Sequence, residues 1–512
     1  MSSTPVNEAV RRPGGRGPWW SAALVAAVAA LVPPLAACGS GVALPRAADP
    51  ELITVVLSEP DEGVGEWRGS ADDFPDHPHV PEGVAIDVSY PRFEGAGAFA
   101  EELAARVDRE VRDFRGASRQ PVGLDIDWEV AAAGNGVLGV RLVRTEEDYH
   151  GLRQAYETSW YDTASGRTAH AAELLADDAA LSTLNRLVRD LLADRKDVDT
   201  EGLHPVLRTY DSLGFNAGGD LVVEFDDGHL SPVVEGHVPT TEPGRVVAVV
   251  PADRAVPLLS DLGARAREAS LSEDPVLAVE EPVGGPASPA EPPGVVEAGD
   301  PGLDCSRAKC IALTFDDGPA PTTPHLLDLL AEEGVKASFF LNGDPALTRP
   351  GVLRRAYAEG HELASHNDQH EHMTKAFSGE ELAGQVAAVS AMVRRQTGHT
   401  VTLFRPPYGD SSPRVLAEIG RQGMAEILWS LDSGDWGGAD RDEIAENVLE
   451  QAEPGAVVLL HDTLAPTLAA VPEIIERLRG RGYEFATVSQ VYDGPEPGSS
   501  HPPEGLTAPA GP

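Results

Sequence analysis

Five short polar clusters in the second half of the 512-residue sequence contain the residue types that catalysis most often uses. They are Asp-Asp-Gly-Pro at 316–319, the histidines at 366 and 370, Arg-Pro-Pro-Tyr-Gly at 405–409, Asp-Ser-Gly-Asp-Trp at 432–436 and His-Asp at 461–462. Two imidazoles and a carboxylate suit a divalent metal, while a second carboxylate and a further histidine suit proton transfer. Together with an arginine, these side chains form the set that a metal-assisted hydrolase requires.

Each cluster taken alone also fits a role without catalysis. In sequence order, the alternatives are an acidic turn at 316–319, an exposed polar helix at 366–370, a rigid loop at 405–409, a surface acid beside a half-buried aromatic ring at 435–436 and a buried structural histidine at 461. A shared site therefore requires a fold that brings the five clusters together.

Short apolar runs next to these clusters predict the elements that position them. The runs are Ile311 to Thr314, Ala337 to Leu341, Glu362 to Ala364, Thr402 to Phe404, Ala425 to Ser430, Ala456 to Leu460 and Glu484 to Thr487. Helical stretches such as 324–333, 379–397 and 442–451 separate them. Alternating strands and helices indicate an α/β fold with a parallel sheet or barrel, whose strand ends share one face. We therefore predict that all five clusters lie on one rim.

Five strings of this region resemble, in order, the motifs of the polysaccharide deacetylase family, also called the NodB-homology group or carbohydrate esterase family 4. The strings are TFDDGP (314–319), GHELASHNDQH (360–370), FRPPYG (404–409), LDSGDW (431–436) and VLLHD (458–462). The resemblance covers about 304–491. It implies a distorted (β/α) barrel, a divalent metal that is usually Zn²⁺, and removal of N-acetyl groups from amino sugars.

Carried over by position, the resemblance makes Asp317, His366 and His370 the metal ligands. Two histidines and one carboxylate leave the metal cationic and its coordination shell open. The resemblance also makes Asp316 the general base, with Arg405 orienting it. A neighbouring metal and a guanidinium both favour the anionic form of Asp316, which can then accept a proton from water.

The remaining family positions concern the leaving group and the acetyl pocket. The resemblance makes His461 the general acid, paired with Asp435, whose charge favours the protonated imidazole. The backbone N–H of Tyr408 would help hold the oxyanion. Trp436 and Leu459 would border the pocket for the acetyl methyl group.

One residue departs from the family pattern. Asn367 stands directly after the first metal histidine, where the family normally has Ser or Thr. An amide still donates and accepts hydrogen bonds, so the ligand assignments are kept and the brace of the loop is what changes.

Residues 51–267 predict a separate N-terminal α+β domain. Strand-like runs are 84–90, 137–143, 221–225 and 246–250, and helix-like runs are 98–114 and 181–192. The segments 90–95, 160–166 and 219–236, followed by 246–259, are similar to the domain that precedes some peptidoglycan deacetylases and to the outer domain of lysozyme-sensing anti-sigma factors. This resemblance implies an accessory role with a protein or glycan ligand.

The N-terminus predicts an export signal over residues 1–37. Three arginines precede an apolar run at 21–32, and the following Leu-Ala-Ala-Cys-Gly string resembles a lipobox with Cys38 as the lipidated residue. A membrane-spanning helix needs about 20 apolar residues, whereas Pro33 and Pro34 interrupt this run after a dozen. We therefore expect an extracytoplasmic protein that is lipid-anchored to the bacterial cell membrane.

Cys305 and Cys310 remain as a pair in that oxidising compartment. They fit either a short-range disulfide or two free buried thiols. A zinc site would need two further ligands nearby, and none is evident in the sequence.

Composition restricts the partners and the domain boundaries. With 82 acidic and 40 basic residues, the net charge of −42 argues against a nucleic-acid partner. The 52 glycines and 43 prolines exceed what packed domains need. We assign the excess to a tether at 38–50, a Pro/Gly/Glu-rich linker at 268–303 and a disordered tail at 492–512.

These features predict a metal-dependent deacetylase of a cell-envelope glycan, with peptidoglycan as the favoured substrate. A deacetylase of chitin oligomers or acetylated xylan would use the same residues in a different groove. An envelope sensor with a degenerate deacetylase scaffold is the non-enzymatic alternative. The complete set of catalytic positions argues against that alternative.

Overall fold

The computed structural model describes residues 49–74, 83–234, 236–277, 279, 291–375 and 377–502. The expected signal segment 1–37, Cys38 and nearly all of the tether lie outside the described residues. No helix in the described part of the chain is long and apolar enough to cross a membrane.

We call residues 49–270 the first region; its described residues contain two sheets and four helices. The strands of the first sheet are β1 (Val64–Ser70), β2 (Ala85–Phe93), β3 (Gly123–Gly134), β4 (Val137–Asp148), β5 (Gly151–Asp162) and β6 (Arg167–His170). They pair in chain order, with β2 and β3 parallel and the other neighbours antiparallel. The second sheet is antiparallel and consists of β7 (Leu213–Phe215), β8 (Leu221–Phe225) and β9 (Val246–Val250). The helices are α1 (Gly97–Ala117), α2 (Asp178–Leu192), α3 (Ala252–Ala255) and α4 (Asp261–Ser270).

Parallel strands form the sheet of the second region. They are β10 (Cys310–Asp316), β11 (Ser338–Leu341), β12 (Glu362–Ser365), β13 (Leu403–Phe404), β14 (Ala425–Ile427), β15 (Leu431–Asp432), β16 (Ala456–His461), β17 (Glu484–Phe485) and β18 (Ser500–His501). The order is β15-β16-β10-β11-β12-β13-β14-β18, with β17 beside the start of β10. No ladder joins β15 to β18 among the described residues. The expected barrel is therefore present as an open, distorted one.

Helices connect these strands, as the sequence predicts for an α/β fold. They are α5 (Thr323–Glu333), α6 (Gly343–Thr348), α7 (Pro350–Ala358), α8 (Gly379–Thr397), α9 (Pro413–Arg421), α10 (Arg441–Gln451), α11 (Ala465–Gly480) and α12 (Val488–Val491). Strand β10 is buried along its whole length. Ile311, Leu313 and Phe315 pack in one apolar cluster with the helices, while Ala312 packs in another with residues of neighbouring strands.

The first region packs against the barrel, so the expected separate N-terminal domain is not confirmed. Both belong to one compact unit. Helix α1 packs on α8 so closely that a Cβ on Gly116 would lie 2.9 Å from the Cβ of Ala391. Beside this contact, Arg394 Nε donates to both carboxylate oxygens of Asp113 at 3.0 Å. Composition could not predict this docking, since it brings together a glycine and an alanine, which carry no distinct signal in the sequence.

The expected linker and tail also contain ordered segments. Helix α4 continues to Ser270, and the backbone N–H of Val296 donates to the Tyr357 hydroxyl at 2.9 Å, which docks the end of the linker on the barrel. In the expected tail, β18 pairs with β14, because the N–H and C=O groups at that sheet edge need partners. The prediction of disorder is therefore wrong for 492–502, while residues 503–512 lie outside the described part.

Candidate active site

All five polar clusters lie at the carboxyl ends of the parallel strands. Asp316 ends β10 and His461 ends β16, and these two residues are register partners on adjacent strands. His366 follows β12 directly, and Arg405 follows β13 directly. The rim that the sequence predicts is present, because parallel strands point their carboxyl ends in the same direction.

Asp317, His366 and His370 converge as a candidate metal site. One ligand atom from each lies within 4.8 Å of the others. The Asp317 Oδ1 atom is 3.2 Å from Nε2 of His370 and 3.6 Å from Nε2 of His366, yet it is buried without a hydrogen-bond partner. A buried oxygen facing two imidazole nitrogens fits a divalent cation, which would satisfy all three.

The orientation of His366 supports the same conclusion. Its Nδ1 lies 2.8 Å from the carbonyl oxygen of Arg405, and a carbonyl accepts only, so Nδ1 carries the proton and Nε2 presents its lone pair. Burial lowers the pKa of His366 to about 3. The ring is therefore neutral at pH 7, which is the form that binds a metal.

The candidate ligands and their neighbours have an uncommon backbone conformation. Positive φ angles occur at Asp317 (74°), Asn367 (68°), His370 (53°) and Tyr408 (60°). Such angles cost energy in residues other than glycine and tend to cluster at functional sites. The backbone at the rim is therefore held in a conformation that costs local stability and positions the site residues.

Asn367 braces the loop between the two histidines. Its Oδ1 accepts from the backbone N–H of His370 at 2.6 Å, and its Nδ2 donates to the carbonyl oxygen of Glu371 at 3.0 Å. Asparagine also tolerates the left-handed conformation better than most residues. The amide therefore does the bracing that the sequence comparison assigns to a hydroxyl.

Asp316 and Arg405 form a buried pair beside the ligands. Arg405 Nη1 donates to Asp316 Oδ1 at 2.7 Å and to Thr314 Oγ1 at 2.8 Å, and the guanidinium lies 3.9 Å from the centre of the Phe340 ring. Asp316 is 2% exposed, and burial raises its pKa against the opposing charge of Arg405. A carboxylate with a raised pKa is a better proton acceptor.

His461 and Asp435 form a second pair across the rim. The His461 Nδ1 atom lies 2.8 Å from Asp435 Oδ1, while Asp435 Oδ2 accepts from the backbone N–H of His461 at 2.8 Å and from Thr467 Oγ1 at 2.7 Å. Burial alone would lower the pKa of His461, but the hydrogen bond and charge of Asp435 raise it to about 9. His461 is therefore protonated at pH 7 and suited to donate a proton.

Three more predicted site residues lie around this rim. The Tyr408 ring is half-exposed and meets the His370 ring edge to face, with centroids 4.7 Å apart. Trp436 is also half-exposed, and its Nε1 donates to Asp432 Oδ1 at 3.1 Å. Leu459 is buried. Half-exposed aromatic rings and a buried leucine are residue types that suit an apolar group bound next to a sugar.

The sequence assigned no role to Asp462, although it follows His461 directly. Its backbone oxygen accepts from Thr322 Oγ1 at 2.6 Å, and its side chain accepts from Thr323 Oγ1. A Cβ at Gly318 would lie 2.2 Å from Asp462 Oδ2. Asp462 therefore joins the loop after β10 to the loop after β16, and its position beside His461 is the signal that could have indicated this.

Cys305 and Cys310 form a disulfide just before and at the start of β10. Of the two alternatives that the sequence left open, the structure contains the disulfide and not the free thiols. The bond ties the entry of β10 and lies at the opposite end of that strand from Asp316.

Comparison with known proteins agrees with this geometry. Residues 304–427 match the family model for polysaccharide deacetylase. The chain is 40% identical to the peptidoglycan-N-acetylglucosamine deacetylase PgdA of Listeria monocytogenes over 185 residues. These residues are 36% of this chain and only 39% of the Listeria protein. It is 35% identical to a peptidoglycan-N-acetylglucosamine deacetylase of Bacillus cereus, over 36% of this chain and 68% of that protein.

A third relative is covered almost completely. The chitooligosaccharide deacetylase of a Bradyrhizobium species is 34% identical over 205 residues, which are 37% of this chain and 93% of that protein. The residues matched by the family model contain the first three of the five motifs, including the three candidate metal ligands. The chain therefore belongs to the polysaccharide deacetylase family of hydrolytic enzymes.

Proposed function

We propose that this protein is a metal-dependent N-deacetylase of amino sugars in a cell-envelope polysaccharide, with peptidoglycan as the favoured substrate. The observation that carries the proposal is the convergence of Asp317, His366 and His370 within 4.8 Å, with a buried carboxylate and a protonated imidazole beside them. We propose Zn²⁺ as the metal, because two imidazoles and one carboxylate suit that ion.

The side chains on the rim divide the work of amide hydrolysis. A divalent cation held by the three ligands would polarise the acetyl carbonyl and lower the pKa of water. Asp316, oriented by Arg405, accepts a proton from the attacking water. His461 donates its Nε2 proton to the sugar nitrogen as the C–N bond breaks, while Asp435 stabilises the charged imidazole until then. The products are acetate and a free amine.

One comparison and one prediction favour peptidoglycan over other acetylated glycans. The Listeria and Bacillus cereus relatives are named for peptidoglycan N-acetylglucosamine. The predicted export signal and lipid anchor would place the protein next to the cell wall. The Bradyrhizobium relative, named for chitooligosaccharides, supports chitin oligomers as the second candidate.

Acetate release tests the activity and the substrate together. The full chain is assayed side by side on isolated sacculi, chitin oligomers and acetylated xylan, with and without a chelator, and with Asp316→Asn as the inactive control. We expect release from sacculi that a chelator stops and Zn²⁺ restores. Release only from chitin oligomers or xylan would change the substrate, and no release from any of them would contradict the proposed activity.

We propose separately that the protein is extracytoplasmic and anchored by lipid on Cys38. Support comes from the lipobox-like string in the sequence. Cys38→Ser should move the protein from the membrane fraction to the soluble fraction or leave it unprocessed. An unchanged membrane fraction with an unchanged mass would contradict the anchor.

We also propose that the first region binds a glycan or protein ligand, as its resemblance to domains of peptidoglycan deacetylases implies. The test uses the full-length Asp316→Asn protein, sedimented with sacculi or mixed with lysozyme, with an excess of short oligomers to fill the active site. Binding that survives this excess supports the proposal. Failure to bind either ligand would contradict it.

A further inference from the structure

The loop that carries two candidate metal ligands also contacts the first region of the chain. Asp368 lies between His366 and His370 and is 7% exposed. Arg119 follows α1 in the first region, and its Nη1 and Nη2 atoms donate to the two carboxylate oxygens of Asp368 at 2.8 and 2.6 Å. A two-point arginine–carboxylate contact fixes orientation as well as distance. This contact therefore restricts how the ligand loop can turn.

Asp368 is held on its barrel side as well. Its backbone oxygen accepts from the N–H of Gly343 at 3.0 Å, where α6 begins. A Cβ on Gly343 would lie 2.0 Å from Asp368 Oδ1, so the carboxylate lies directly against the glycine. The side chain of Asp368 is thus enclosed between α6 and Arg119.

Arg119 is itself positioned by the first sheet. Its carbonyl oxygen accepts from the backbone N–H of Tyr149 at 2.9 Å, at the turn between β4 and β5. Its side chain is 22% exposed and also reaches Asp344, which is 75% exposed. The Asp344 contact adds little because water screens it, whereas the Asp368 contact is largely shielded.

We propose that Arg119 is a positioning residue for the metal site, through which the first region completes the barrel. Its contact with Asp368 holds the loop so that His366 and His370 face Asp317 before the metal binds. Loss of the contact lets the loop move, and metal affinity falls. This inference deepens the proposed function and rests on its metal site.

Metal affinity of the full-length protein provides the test. The Kd for Zn²⁺ is measured by competition with a chromophoric chelator, and the geometry of the site by the visible absorption of the Co²⁺-loaded protein. Arg119→Ala should weaken Zn²⁺ binding about 10- to 100-fold, the range for residues that orient ligands from outside the coordination shell. Arg119→Lys should lie between Arg119→Ala and the parent, because lysine keeps the charge and loses the two-point geometry.

A matched control comes from another ion pair between the same two regions. Asp113→Asn weakens the ion pair between α1 and Arg394 of α8. Among the described residues, neither Asp113 nor Arg394 forms a hydrogen bond with the loop at 366–370. We expect it to lower the Tm while leaving the Zn²⁺ Kd unchanged. Asp368→Asn, which keeps the size of the side chain, should weaken Zn²⁺ binding and add little in combination with Arg119→Ala.

The outcomes separate this inference from the proposed function. Unchanged Zn²⁺ affinity in Arg119→Ala and Asp368→Asn would overturn the positioning role. Equal weakening in Asp113→Asn would also overturn it, since the effect would then belong to the interface as a whole. A parent protein that binds no divalent metal would instead contradict the metal site itself.

Discussion

The active-site rim has two sides that differ in how exposed their side chains are and in whether their polar atoms are hydrogen-bonded within the protein. The ligand side consists of Asp317, His366 and His370, and the proton side consists of Asp316, Arg405, His461 and Asp435. On the ligand side, Asp317 and His370 are about one-third exposed, and one Asp317 oxygen has no hydrogen-bond partner. On the proton side, Asp316, Arg405 and Asp435 are buried and hydrogen-bonded.

The difference indicates what each side needs from outside the protein. On the ligand side, a buried carboxylate oxygen that has no hydrogen-bond partner faces two imidazole nitrogens, an arrangement that a divalent cation would satisfy. The proton side is complete, because Arg405 and Asp435 already set the charges of their partners. We therefore expect substitutions on the ligand side to act through bound metal and substitutions on the proton side to act without changing it.

The largest effect should follow from Asp317→Asn. The amide is a weaker ligand than a carboxylate, so both bound Zn²⁺ and deacetylation should be lost. Metal analysis of the purified variant and acetate release at rising Zn²⁺ measure the two effects. Excess Zn²⁺ should restore part of the rate, and a variant that keeps full metal content would contradict the ligand assignment.

Asp316→Asn, one residue away, should separate the two sides most clearly. The asparagine keeps the shape and a hydrogen bond to Arg405 but accepts no proton, so the rate should fall about 10²- to 10⁴-fold. Metal content should stay at the parent level. Metal loss equal to that of Asp317→Asn, or full activity, would break the distinction between base and ligand.

Asp435→Asn should change the pH dependence of the reaction. The general acid must be protonated, and Asp435 raises the pKa of His461 to about 9, so the parent should lose kcat/KM as pH rises through that value. Without the carboxylate charge of Asp435, the pKa of His461 falls, and the loss of kcat/KM at alkaline pH (the alkaline limb of the profile) should move to lower pH. Asp432→Asn removes a carboxylate charge from the same loop and is the control, so its loss of kcat/KM should occur at the same pH as in the parent. A limb that stays in place in Asp435→Asn would show that His461 is not the acid.

The smallest effect should follow from Asn367→Ser. Serine is a usual residue at this position of the family, but it cannot reach both partners of the amide and it tolerates the positive φ less well. We expect Zn²⁺ affinity to fall about 10-fold, the lower limit for residues that orient ligands. Chelator competition measures the change. Tighter binding in the variant would mean that the amide weakens the site.

The barrel was predictable because its local signals agree with its long-range pairing. The helix predicted at 379–397 has those bounds, since Ser378 caps its start and Gly398 ends it in a left-handed turn. Each predicted strand of the barrel overlaps an observed strand. The site residues followed from the motifs, because polar residues placed after parallel strands meet at one edge.

Other features depend on contacts that no local pattern encodes. Arg119 and Asp368 are 249 residues apart, and Arg119 lies outside the five motifs. The docking of α1 on α8 requires a glycine opposite an alanine, which looks ordinary in sequence. The hydrogen bond from Thr467 to Asp435 likewise depends on a residue, Thr467, that lies outside the motifs.

Strand β18 has a consequence for solubility. It pairs with β14, so that the backbone N–H of Leu428 donates to the carbonyl oxygen of His501 at 2.6 Å. A chain shortened to residue 491, the boundary that composition suggested, would leave this edge of the sheet uncovered. Uncovered edges recruit strands from other molecules. Ser500 and His501 therefore cover the edge of the sheet at β14. We expect the shortened chain to aggregate under conditions in which the longer chain stays monodisperse.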